Sequence, residues 1–262
     1  MLSSIGRPLL VLIDYLGELC LLSGQIVESL LKGKKRWNLL VEQIVEIGFR
    51  SQPVVIITGA FVGAVLAAQG LFQLSDLKME SMGGALVSVG MLRELGPSLT
   101  GIMLAGRVGA AMSAEIGTMK VTEQVDALRS MSVHPIDYLV TPRLIAMMVS
   151  VPLLIMEAAV FGIMASWVVG TKAFGVSEAW WAYHTNAHTD LTDIYIGLIK
   201  GFVFGILIVL ISCHQGLKAS HGAVGVGQGT TRAMVFSSLA ILIFNFFLTM
   251  LLNILFPVGF AG

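Results

Sequence analysis

Apolar residues gather into five runs long enough to cross a bilayer: Pro53–Leu74, Met82–Ser113, Leu144–Gly170, Ile194–Cys213 and Ala233–Phe256. A spanning helix needs about 20 mostly apolar residues. The second run is long and punctuated by polar positions. The first 30 residues follow a different pattern, with Asp14, Glu18, Gln25, Ser29 and Lys32 spaced 4, 7, 4 and 3 apart on one helical stripe. Leu9, Leu12, Ile13, Leu16, Leu19, Ile26 and Leu30 fill the other face. This division predicts an amphipathic helix lying in the membrane interface; a sixth span over Leu9–Leu31 is the competing reading. The expected fold class is an all-α membrane protein, an N-terminal interfacial helix followed by five transmembrane helices. It forms one membrane domain over residues 1–262, with 1–50 as the interfacial region and 51–262 as the five-span core.

Composition agrees. Of 262 residues 56% are hydrophobic and only 12% charged, with mean hydropathy +0.86, whereas soluble domains run nearer 25% charged. Net charge is zero, so no basic face exists to neutralise nucleic-acid phosphates. Lysine and arginine distribution sets the orientation. Arg7, Lys32, Lys34, Lys35, Arg36 and Arg50, then Lys120, Arg129 and Arg143, then Lys218 and Arg232 fall on one side. Lys78 and Lys172 fall on the other, beside Asp76, Glu80, Glu178, Asp190 and Asp193. The N-terminus is therefore expected in the cytoplasm and the C-terminus outside it. Asp14 and Glu18 interrupt the first apolar run, which does not read as a cleaved signal peptide. Cys20 and Cys213 read as small buried hydrophobes without a disulfide.

Catalytic constellations find little support. HGAVGVGQGTTR, residues 221–232, is glycine-rich but lacks the lysine of a phosphate-binding loop. It reads as a flexible cytoplasmic loop with Thr230 or Thr231 capping the last helix. Any ATP and magnesium must then be bound by another chain, and this one carries no cofactor. His184, His188 and Asp190 share a helical face but lack a third ligand at a metal-binding distance. A short helix outside the membrane, led by Trp180, Trp181 and Tyr183, explains them better. No serine–histidine–carboxylate set or paired carboxylates emerge, so the chain is not read as an enzyme.

The informative residues are charges inside apolar runs: Arg93, Glu94, Arg107, Glu157 and Lys200. A charge near the bilayer centre costs about 2.5–3.5 kcal/mol on insertion scales, so such groups face protein or a wet cavity. Two readings compete: ion pairs that only lock helices together, and a cavity for an amphiphile with a charged head. Gly96–Pro97 after Glu94 predicts a break in the helix, which membranes tolerate where backbone lines a cavity. On the cytoplasmic side, Glu115–Pro135 predicts a helix with Val121, Val125, Leu128 and Met131 on one face. It is either a solvated loop helix or one that docks into a partner's groove.

LRELGP followed by AGRVGAAMSAEIGTMKVTEQVDAL, with VHPIDYLVTPR, LIKGFVFG and GVGQGTTRA further on, resembles the MlaE permease family. The resemblance covers most of the chain from Gln52 onward; the N-terminal helix matches in character only. It implies the permease subunit of an ATP-driven phospholipid transporter in the bacterial inner membrane, maintaining outer-membrane lipid asymmetry. The implied partners are a second copy of the chain, a cytoplasmic ABC ATPase, a STAS-domain subunit and a periplasmic MCE-domain hexamer. By similarity, Arg93, Glu94 and Lys200 line the lipid cavity. The same similarity makes Glu115–Met131 a coupling helix between the second and third spans, using Glu115, Met119, Val121, Glu123, Gln124, Val125, Leu128 and Met131. Small residues such as Gly59, Gly63 and Ala67 would let spans slide at close approach. A non-transporting scaffold whose charges are structural is the alternative. Glu157 has no counterpart in the family pattern.

Overall fold

The computed structural model describes residues 2–32, 37–220 and 222–256. Lys34, Lys35, Arg36 and His221 lie outside the described residues, as do the side chains of Arg7, Leu9 and Leu12. All regular structure among the described residues is helical: α1 (Leu2–Lys32), α2 (Trp37–Ile47), α3 (Gln52–Asp76), α4 (Gly83–Gly90), α5 (Gly96–Leu104), α6 (Ala110–Val121), α7 (Gln124–Ser130), α8 (Thr141–Val168), α9 (Glu178–His188), α10 (Leu191–Leu217) and α11 (Gly222–Leu255). Among the described residues four helical stretches are long and apolar enough to cross a membrane: Trp37–Asp76, Ile136–Ala173, Leu191–Leu217 and Gly222–Leu255. The second expected span, Met82–Ser113, is not among them: it falls in α4–α6, where Arg93, Glu94, Arg107 and the interspersed glycines dilute the apolar character.

Proline and polar residues do not break that stretch. Two π turns, Met91–Leu95 and Ala105–Gly109, carry the helix through. The expected break at Gly96–Pro97 is thus a π turn, a widening often found at functional sites.

α3 and α8 run side by side with their backbones nearly touching. A Cβ on Gly59 would sit 2.5 Å from the Ala158 carbonyl, and one on Gly63 would sit 2.1 Å from that of Gly162. Only glycine permits this approach. α10 packs on the other side of α8, while α11 leans on α6 and α10.

α1 does not qualify as a span. Its apolar side is largely uncovered, with Ile13, Leu16, Leu21 and Leu31 exposed. Part of its polar stripe turns inward instead: Glu18 pairs with His214 and Lys218, and Ser29 meets the Thr141 hydroxyl at 2.6 Å. Lys218 holds the Glu18 carboxyl below the ordinary glutamate range, aided by His214. α1 is therefore tied to the end of α10 by its charges.

Two expectations are corrected. The glycine-rich stretch before Ala233 is not a loop, because α11 begins at Gly222. Thr230 and Thr231 are inside the helix, bonded back to the carbonyls of Val226 and Gly227. Local glycine content is overridden here by packing: Gly117 faces Val226, and Gly229 lies against Gln215.

The cytoplasmic helix is two helices, not one. Glu123 adopts a left-handed conformation, φ 60°, and separates α6 from α7. Glu115, Met119 and Val121 consequently belong to the end of α6. Val125 is buried, with Leu128 packed against the core, so the apolar face points into the protein. Glu123, Gln124, Arg129 and Met131 are left exposed. The Lys120 ammonium bonded to Asp126 at 2.9 Å closes this corner and holds the Asp126 carboxyl below its usual range.

Candidate functional site

Proline has no N–H, so Pro97 leaves the carbonyl four residues back, that of Arg93, without a helical donor. The Lys200 ammonium fills the gap, donating to Arg93 O at 2.6 Å. Its two other protons go to Glu94 Oε1 and to the Thr249 hydroxyl, each at 2.8 Å. A lysine has three donors, and all three are used. Lys200 is fully buried, 0% exposed. Gly197 makes this reach possible: a Cβ there would lie 2.8 Å from the Leu92 carbonyl, so α10 lies directly against the π turn.

Glu94 is different. Its side chain is 40% exposed although both oxygens are engaged. Oε1 takes Lys200, and Oε2 accepts from Asn245 Nδ2 at 3.0 Å. The Thr249 hydroxyl donates to Glu94 Oε1 at 2.9 Å or to the Asn245 carbonyl at 2.8 Å.

A second ion pair sits beside the first. Arg93 binds Asp193, whose side chain is 2% exposed, and reaches Asn253 Oδ1 at 3.3 Å. The other Asp193 oxygen accepts the Asp190 backbone N–H at 3.0 Å, completing the capping box that starts α10. Two cations thus meet two carboxylates within one cluster formed by the π turn, α10 and α11. Removing one member of a buried pair leaves a charge without compensation, at about 3–5 kcal/mol.

Arg93, Glu94 and Lys200 are therefore brought together. Arg107 is not: it bonds the Ser51 hydroxyl from the second π turn. Glu157 is half-buried on α8 and forms no ion pair among the described residues. Glu115 pairs with buried Arg143 at 2.8 Å, tying α6 to the start of α8. Sequence reasoning missed Asp193, Asn245, Thr249 and Asn253. The last three are spaced by four along α11 and so share one face, a signal present in the sequence but carried by uncharged residues.

The His184 and His188 rings lie 5.8 Å apart, tilted by 36°, His188 Nδ1 lies 3.0 Å from the His184 carbonyl, and Asp190 caps α10. Among the described residues no group of three or more His, Cys, Asp or Glu is placed to hold a metal ion.

Long apolar helices with ion pairs set among them define a multi-pass membrane protein. Residues 40–251 match the family model described as Permease MlaE, and the chain belongs to the MlaE permease family. A probable ABC transporter permease protein of Rickettsia bellii is 41% identical over 247 residues, covering 94% of this chain and 95% of that protein. Another, from Synechocystis, is 38% identical over 231 residues, 88% of each. The intermembrane phospholipid transport system permease protein MlaE of Haemophilus influenzae is 35% identical over 253 residues, 95% of each.

Proposed function

We propose that this chain is the membrane subunit of an ATP-driven phospholipid transporter, and that the Glu94 cluster handles the lipid head group. The observation that carries this reading is the contrast between Lys200 and Glu94. Lys200 is sealed and saturated, while the carboxylate it pins is 40% exposed beside α11. In the proposed mechanism Lys200 positions Glu94 from behind, and Glu94, Asn245 and Arg93 present polar atoms to the cargo. The acyl chains stay among the apolar side chains of the neighbouring spans.

The second copy covers α11 in this proposal. Only 17% of the α11 span window is buried within one chain, against 33–56% for the other three. Its exposed face carries Leu239, Phe246, Phe247 and Met250. The α4–α6 stretch serves as the second of five spans. The N-terminus lies in the cytoplasm and the C-terminus in the periplasm of a bacterial inner membrane. A cytoplasmic ATPase, named by the ABC class of the relatives, pushes on the α6–α7 corner through exposed Gln124, Arg129 and Met131. The Glu115–Arg143 pair passes that push to α8. A STAS-domain subunit and a periplasmic MCE-domain hexamer complete the assembly, and lipid leaves for or arrives from the latter.

One observation favours the rival reading, a scaffold whose charges are structural: all three Lys200 protons are satisfied without a ligand. Replacing Glu94 with glutamine decides between them, since it keeps the size of the side chain and one acceptor oxygen for Lys200 and Thr249 while removing the charge. The permease reading predicts an assembled complex that moves phospholipid several-fold more slowly. Transport at the original rate supports the scaffold.

A further inference from the structure

A second place for lipid lies away from the Glu94 cluster. A groove of about 480 Å³ runs along α8 from Phe161 to Val168, with Ala60 of α3 as one wall and α9 across one end. Seven residues of helix rise correspond to about 10 Å of length. The lining is apolar except at the α9 end, where Thr185 and Asn186 stand. The Thr185 hydroxyl itself is turned out of the groove and buried against Gly84. Trp167 lines the same groove, and the Lys172 ammonium lies 5.9 Å from its ring centroid. Lys172 also pairs with Glu178, an exposed contact of the kind that contributes little on its own.

The polarity runs one way. The Lys172 cation beside Trp167 and the Asn186 amide mark one end, and an apolar trough leads from it towards the middle of the span. That is the pattern of an amphiphile with an anionic head. The floor is firm, because Trp181 is fully packed and fills the space above Gly83 and Gly170.

We infer that this groove is a binding site for one acyl chain of a bilayer phospholipid, its phosphate and ester groups meeting Lys172 and Asn186. This inference rests on the chain spanning a membrane and not on the cargo reading of Glu94, so either can fail alone.

The test uses the full chain in nanodiscs doped with a phospholipid that carries a diazirine on its acyl chain. After irradiation, adducts are mapped by mass spectrometry. Adducts at Ala60, Phe161, Met164 and Val168 are expected several-fold above those at Ile57, which is 59% exposed on α3 outside the groove. Ala165→Trp and Ala182→Trp, on different helices, should each fill the groove and bring its labelling down to the Ile57 level. The Ile57 labelling itself should stay unchanged, which reports an intact fold. Uniform labelling, or groove adducts that survive both substitutions, overturns the inference. So does a photo-activatable residue at Val168 that captures protein instead of lipid in native membranes.

Discussion

The α3–α8 seam and the cluster around Glu94 solve opposite problems a short distance apart. At the seam, glycines remove side chains until two backbones touch, and Gly63 faces Gly162 with no room for a methyl group. At the cluster, long charged side chains cross a gap and leave one carboxylate partly open. Close packing has essentially one arrangement, since interiors packed this tightly transmit strain and do not absorb it. Side-chain ion pairs can exchange partners by changing rotamers. In the proposed mechanism the seam is therefore a fixed frame, where Gly59 and Gly63 had been expected to let the spans slide, and the cluster is the part that responds to a guest.

Substitutions test this division. The largest effect is expected from Glu94→Leu, which strands the buried Lys200 ammonium. Stability should fall by about 3–5 kcal/mol, read as a lower midpoint for thermal aggregation in detergent. Gly63→Val attacks the seam. Forcing a branched side chain against the Gly162 carbonyl should cost up to about 3 kcal/mol, and Gly162→Ser should not rescue it. Were Gly63→Val neutral, the seam would not be a fixed joint. Thr249→Val removes one acceptor from Lys200 and should cost about 1 kcal/mol, while changing transport more than Gly63→Ala does at matched stability.

The smallest effect is electrostatic. The folded Glu18 carboxyl titrates below its ordinary value because Lys218, and after it His214, favours the ionised form. Its tie to α10 is therefore fully present above the unfolded glutamate value of about 4.3 and is lost as pH falls through the lower folded value. A spin label on exposed Cys20 should become more mobile only under such acid conditions. Mobility that changes between pH 6 and 8 would contradict this.

How much of this could be read from the chain depends on the kind of signal. LRELGP stood out in the sequence by its charges and its proline, but the break expected at Gly96–Pro97 is a π turn, and the Lys200 contact to the Arg93 carbonyl was not read from it. Four of the five expected runs were legible from apolar length, although their ends extend further than hydropathy indicates, as at Gly222 and Ile136. The direction of the α7 face was not legible. Periodicity states which residues share a face, but not whether it turns inward, and Val125 turns in. Asp193 was counted as a loop charge because its partner, Arg93, is 100 residues away. Asn245 and Thr249 carry no charge to stand out against an apolar helix.

The central claim is that lipid reaches Glu94. A photo-activatable residue at Ser98, which bonds the Glu94 carbonyl from the next turn, tests it in cells whose phospholipid is radiolabelled. Ile57, 59% exposed on α3, reports contact with bulk lipid. The account predicts lipid adducts at 98 well above those at 57, falling to background in Glu94→Gln. Adducts at 98 no stronger than at 57, or unchanged by that substitution, would contradict it.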